Sequence, residues 1–228
     1  DGKFKKALER FQDVARRFPK GPFIEYNLYW SAKSAEKLGE KEKAKEIFTD
    51  VANQYPYTFH GIRAKEKMLE AGVSFPANPS EDTTAKTSVK LDRPLDSREK
   101  FHHIRTQELT AIGLTMEARN EIQRLEKSIR KNMTGVLWLS NLYHNANGYS
   151  ESLKLLQLYK DFATKSGERS LSPKFWKYFF PLAYHEEVTS NSKYRKVDPY
   201  FVNGIIRQES LFDHKALSPA GARGLMQI

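Results

Sequence analysis

An 18-residue pattern occurs twice near the start of this chain, and it leaves few folds open. GKFKKALERFQDVARRFP (Gly2 to Pro19) and GEKEKAKEIFTDVANQYP (Gly39 to Pro56) align at an offset of 37 residues. Ala7 matches Ala44, Phe11 matches Phe48, Asp13-Val14-Ala15 matches Asp50-Val51-Ala52, and Phe18 matches Tyr55. A small Ala lets two helices approach, an aromatic ring fills the groove, and Pro ends the helix. Phe23 to Leu38 reads as the partner helix between the two copies, with Leu28, Ala32, Ala35 and Leu38 facing inward. One helix pair cannot bury its apolar stripe alone, so the pattern predicts a stack of pairs.

The pattern resembles the tetratricopeptide helical hairpin, with two departures. The period is 37 where the usual unit is about 34, and Val51 stands where a small residue normally follows the aromatic. Gly2 opens the second helix of a unit, so the chain is expected to start in mid-repeat. From Val73 to Ser97 the helical period stops in a stretch rich in Pro, Thr and Ser, read as a loop or strap. Helical units resume near Arg98, where Phe101, Ile104, Leu109 and Ile112 are expected to line one side. Gly113 and Gly148 each begin a further repeat-like helix. Gly113 lies 74 residues after Gly39, twice 37, a spacing that the intervening loop leaves open to coincidence.

The expected fold class is therefore all-α, a superhelical array of paired helices. Its expected divisions are helical repeats over 1–72, the strap over 73–97, further repeats over 98–180 and a distinct region over 181–228. Hydrophobic residues at 39% and charged residues at 29% suit a soluble globular chain, and no apolar run approaches membrane-spanning length. No cysteine is present, which removes disulfides and thiolate metal sites. No signal peptide is visible. The net charge of +10 favours polyanions in general. Lys and Glu alternate along EKLGEKEKAKE, however, which describes a solvated surface and not a phosphate track, so no nucleic-acid partner is expected.

Asp198 to Ile228 reads DPYFVNGIIRQESLFDHKALSPAGARGLMQI. Asp198 and Pro199 suit the cap and first position of a helix. Val202, Ile205 and Ile206 repeat at helical spacing, and Glu209 is expected on that apolar face. Burial there raises a carboxyl pKa, as a general acid near neutral pH requires. Asp213, the nearest other carboxylate, reads as a turn or cap residue.

Glu209-Ser210, Ser218, Gly221-Ala222 and Gly224-Leu225-Met226-Gln227 together resemble the signature of the soluble lytic murein transglycosylases. FFPLAY (Phe179 to Tyr184) resembles that family's lead-in to a lysozyme-like domain, and the aromatic run from Phe175 is read as packing at that junction. The resemblance implies that 181–228 is the first part of a lysozyme-like catalytic domain, stopping within the motif, and that these residues alone are inactive. It implies Glu209 as the single acid/base, Ser218 near the substrate N-acetyl or the glutamate, and Gln227 on the sugar. It implies peptidoglycan glycan strands as substrate and a bacterial periplasmic location, with cell-wall proteins on the helical repeats as a further class of partner. No cofactor and no metal are expected, since His102-His103 and His185-Glu186-Glu187 lack ligand spacing. Other classes stay open: a helical-repeat scaffold with a non-catalytic remnant, a basic nucleic-acid-binding repeat, and a hydrolytic muramidase.

Overall fold

The computed structural model describes residues 2–75, 89–166 and 171–228. Among them are eleven α-helices and, as the only β pairing, one antiparallel bridge between Leu217 and Arg223. The all-α expectation holds. The chain divides into two compact units, one of residues 1–85 with 160–171 and one of 86–159 with 172–228.

The first unit holds α1 (Gly2–Arg17), α2 (Ile24–Lys37), α3 (Lys41–Gln54) and α4 (Phe59–Glu70). Successive helices pack against each other, and α4 also touches α2. Ala32 and Ala35 of α2 meet Ala44, Phe48 and Val51 of α3 in one buried cluster that continues to Ala64 and Met68 of α4. Leu28 and Leu38 pack against it, as the spacing predicts. Val51 is fully buried, so the larger residue is accommodated in the core.

The second unit begins with α5 (Ser97–Ala111), α6 (Thr115–Ile129) and α7 (Met133–Asn145), and α8 (Tyr149–Ser166) starts within it. Then come α9 (Pro173–Phe179), α10 (His185–Arg195) and α11 (Pro199–Ser210). The inward stripe of α5 differs from the expected one. Phe101, Ile104 and Ile112 are more than half exposed, while Glu99, His102 and Thr106 are buried. Each of these polar groups has a partner, which is what makes its burial tolerable. Arg93 clasps the Glu99 carboxylate at 2.7 and 2.8 Å, the Asp96 N–H adds 3.0 Å, and Glu121 of α6 reaches His102 Nδ1 at 2.6 Å. Thr106 donates to the carbonyl of His102. Asp96 and Glu99 also form a reciprocal capping box that starts the helix. Of the expected strap, residues 76–88 lie outside the described residues, and 89–96 carry no regular structure.

One turn design recurs in both units. Gly39, Gly72, Gly113 and Asn147 each adopt a left-handed φ, between 53° and 81°. The residue after each donates its N–H to the carbonyl five positions back, which satisfies the orphan acceptors of the preceding helix. Asn147, not Gly148, takes the left-handed position before α8. Gly148 is small for a different reason: a Cβ there would meet the Arg119 side chain at 2.8 Å and the Tyr143 ring at 2.9 Å.

No described helix is long and apolar enough to cross a membrane.

Candidate active site

Helix α11 is built as its sequence dictates. The Asp198 carboxylate accepts the N–H of Tyr200 at 2.8 Å, and Pro199 occupies the first turn. The helix ends where Leu211 and Phe212 both take left-handed backbone, an uncommon conformation for bulky residues. Phe212 is buried by that bend. Asp213 then accepts the N–H of Lys215 at 2.9 Å, the turn role expected of it.

The buried face of α11 consists of Asn203, Ile206 and Ser210. Glu209 lies roughly a quarter-turn away from that face, at 3.6 residues per turn, and is exposed. The expected burial of Glu209 is therefore corrected. Val202 and Ile205 are only half-buried, and two polar residues, Asn203 and Ser210, take the inward positions with Ile206. Ser210 can do so because its hydroxyl bonds locally, 3.1 Å from the Ile206 carbonyl and 2.9 Å from that of Leu225. Asn203 donates to the Pro199 carbonyl at 3.2 Å. Among the described residues Glu209 makes no hydrogen bond or ion pair, which leaves its carboxyl free for an incoming group.

Two residues fix the helix turn that carries it. Ser210 ties α11 to the loop at Leu225. Arg207, earlier on the same turn, donates to the Phe179 carbonyl at the end of α9. Its guanidinium lies 4.4 Å from the Phe179 ring centroid and 4.9 Å from that of Phe180. Burial lowers the Arg207 pKa from its ordinary value. The aromatic run is thus packing that also holds α11: Phe175 stacks on Phe179 and Trp176 on Phe180. Arg207 escapes a reading of the sequence because an Arg between Ile206 and Gln208 looks like any solvated helix residue.

Ser218 and Gln227 meet in one hairpin. Ser218 accepts the Ala222 N–H on its hydroxyl at 3.0 Å, while its own N–H donates to the Ala222 carbonyl at 2.9 Å. Gly221 and Gly224 supply left-handed turns, with φ of 92° and 72°. The Gln227 side-chain amide donates to the carbonyls of Ala216 and Gly224, at 3.2 and 2.9 Å. Glu209 joins this hairpin through its neighbour Ser210 and the Leu225 carbonyl.

A second cluster in the same unit supports the bend after α11. His144 of α7 packs against Tyr149 and Tyr178, with ring centroids at 5.0 and 4.8 Å. Tyr149 in turn lies near Tyr184 and Phe212, and the Tyr184 hydroxyl is 3.4 Å from the Phe212 carbonyl. Burial pushes His144 down to about 4, so the ring is neutral near pH 7.

Comparisons with known proteins agree with both ends of this description. Residues 26–56, spanning most of α2 and all of α3, match the Tetratricopeptide repeat family. Residues 187–228, from α10 onward, match the Transglycosylase SLT domain. The chain is 28% identical over 203 residues to the soluble lytic murein transglycosylase of Escherichia coli (strain K12), a match covering 88% of this chain and 27% of that protein. It is 36% identical over 66 residues to the Salmonella typhimurium protein of the same name, covering 28% of this chain and 10% of that one. Among solved structures, an inactive mutant of the lytic transglycosylase Slt from Pseudomonas aeruginosa superposes with a TM-score of 0.61 at 17% identity, over 100% of this chain and 33% of that one. That likeness is one of fold. The 70 kDa soluble lytic transglycosylase of Escherichia coli gives a TM-score of 0.58 at 25% identity, over 90% of this chain and 29% of that one. The chain thus spans 27% of the length of the first of these curated relatives.

Proposed function

We propose that the chain belongs with the soluble lytic transglycosylases and is the part of a peptidoglycan-cleaving enzyme that carries both helical repeats and the catalytic acid. The bond attacked is the β-1,4 link from N-acetylmuramic acid to N-acetylglucosamine. Glu209 protonates the glycosidic oxygen as that bond breaks. It then takes the proton of the muramic acid 6-hydroxyl, whose oxygen bonds to the anomeric carbon and closes a 1,6-anhydro ring. One C–O bond breaks, one forms, and no water is consumed. Ser218 and Gln227 are assigned to substrate binding. Residues 181–228 are assigned to the catalytic domain, the location to the periplasm, and the partners to glycan strands and cell-wall proteins.

The observation that carries this reading is the setting of Glu209. Arg207 and Ser210 pin the last turn of α11 on either side, and the carboxyl between them has no competing partner among the described residues. Exposure leaves Glu209 open to a glycan strand, which excludes water from its carboxyl on binding. The same exposure favours a second reading, a helical-repeat scaffold carrying a non-catalytic remnant.

In an enzyme carrying this chain together with a complete SLT domain, Glu209→Gln is expected to cut release of anhydromuropeptides by about a hundredfold or more. Mass spectrometry of the products also separates an anhydro end from a hydrolytic reducing end, which is heavier by one water. Undiminished release would exclude Glu209 as the acid. The 228 residues alone are expected to leave purified sacculi unclarified, because they span 27% of the first curated relative.

A further inference from the structure

Helices α2 and α4 of the first unit share a partly exposed aromatic face. Tyr26 and Trp30, one turn apart on α2, are 41% and 39% exposed, with ring centroids 6.2 Å apart. His60 of α4 sits edge-on to Tyr26 at 5.3 Å. Two turns further along each helix the face becomes charged. Lys33, seven residues after Tyr26, and Lys67, seven after His60, both reach Glu36, at 3.2 and 2.7 Å. One carboxylate shared by two ammonium groups leaves a net charge of one on the three, with the Lys67 ammonium also 5.6 Å from the Phe48 ring centroid. The buried residues of α2 are Ser31, Ala32, Ser34 and Ala35, and Tyr26 also lies edge-on to Phe11 of α1, so these rings pack the helices along one edge and present the other to solvent. Contiguous exposed apolar surface rimmed by polar residues is a feature of interaction sites.

We propose that this face of α2 and α4 binds a carboxylate-bearing saccharide. The CH face of a pyranose ring is apolar and rimmed by hydroxyls. It therefore suits a platform of tilted rings with polar edges better than a continuous apolar trough does. The acid group of the ligand pairs with the surplus cation at Lys33 and Lys67. Charge complementarity selects this occupant over a neutral glycan. The inference rests on the peptidoglycan reading above and deepens it, because muramic acid freed of its stem peptide carries a free lactyl carboxylate.

The test uses the 228-residue chain, titrated by calorimetry with peptide-free glycan containing muramic acid and, separately, with neutral tetra-N-acetylchitotetraose. The acidic glycan is expected to bind more tightly, and added salt is expected to shrink the difference. Trp30→Ala, at an exposed position that leaves the helix intact by circular dichroism, is expected to weaken both sugars about tenfold. Combined Lys33→Ala and Lys67→Ala is expected to weaken only the acidic one. Absence of binding by either sugar, unchanged affinity in Trp30→Ala, or equal binding of an acidic peptide without sugar would overturn the proposal. The titration reads the face of α2 and α4 through Trp30, Lys33 and Lys67, whereas the anhydro product reads Glu209, so failure of either proposal leaves the other result standing.

Discussion

Gly39, Thr58 and Gly61 recur 74 positions later as Gly113, Asn132 and Gly135, so α2–α4 can be compared with α5–α7 position by position. The boundaries agree to within about a residue along all three helices, which makes the 74-residue spacing a structural repeat. The backbone devices match. Gly39 and Gly113 turn the chain with φ of 81° and 80°. Thr58 and Asn132 cap α4 and α7 by accepting the N–H of Gly61 and Gly135. Each of those glycines lies where a Cβ would collide with the end of the previous helix, 1.7 Å from the Tyr55 carbonyl oxygen and 1.9 Å from that of Ile129. The filling differs. Where α2 buries serines and alanines, α5 buries Glu99, His102 and Thr106. Where α4 buries only Gly61, Ala64 and Met68, α7 buries an unbroken run from Gly135 to Ser140. Turns and close approaches set the repeat geometry, and side chains are then free to serve different surroundings.

The sharpest way to break this comparison is to add one methyl group at each close approach. Gly135→Ala is expected to cost about 3 kcal/mol or more, because α7 is enclosed and cannot shift away. Gly61→Ala is expected to cost less, about 1–3 kcal/mol, because α4 has an exposed side along which to move. Urea unfolding of the two variants measures both, and equal costs would show that enclosure of α7 does not stiffen it.

Acid is expected to act next, and from a higher pH on the second copy, since on the first the perturbed group is the Glu36 carboxylate, which against its burial is held below the ordinary carboxylate range by Lys67 and Lys33. The folded pKa of His144 is about 4, below its usual 6.5, so stability is complete above pH 6.5 and falls as pH drops from 6.5 towards 4. Glu99, held at about 2 chiefly by Arg93, adds a further loss between about pH 4.5 and 2. Hydrogen exchange across this range should show α5–α7 opening before α2–α4. His144→Phe should remove the larger share of the upper loss, leaving that of His103, which burial also lowers, and an unchanged profile would assign it to another group.

A smaller effect compares Glu99 with its counterpart Glu25. Glu99→Ala is expected to cost about 1–3 kcal/mol, since it strips Arg93 and the Asp96 N–H of their partner. Glu25→Ala, at a half-buried position, is expected to stay within about 0.5 kcal/mol. The smallest and most symmetric effect is at the turns. Gly39→Ala and Gly113→Ala meet no neighbour within 4 Å, so each should cost only the left-handed strain, about 1–2 kcal/mol. Unequal losses there would contradict the matching of the two copies.

How much of the molecule is legible in sequence depends on whether each position is decided locally. The first unit is readable because Ala32, Ala44 and Phe48 are buried by residues with the same spacing logic. The inward side of α5 is not. Its polar stripe is satisfied by Arg93 before the helix and Glu121 on the next one, and neither shows in hydrophobic periodicity. The start of α11, its cap and the Asp213 turn are legible for the same local reason. The exposure of Glu209 is not, because Asn203 and Ser210 take the inward positions through backbone hydrogen bonds. Arg207 gives no local signal either, since the carbonyl it bonds belongs to Phe179, 28 residues earlier in the chain.

The Gln227 side chain has a directional consequence. An amide nitrogen has two hydrogens, and in this hairpin both are spent on the carbonyls of Ala216 and Gly224. The end left over is the oxygen. Gln227 therefore behaves as a one-sided connector: it receives a hydroxyl or amide hydrogen and has none to offer. On the proposed reading, a sugar arriving there would be sorted by the direction in which its own polar group points, before its shape is read at all.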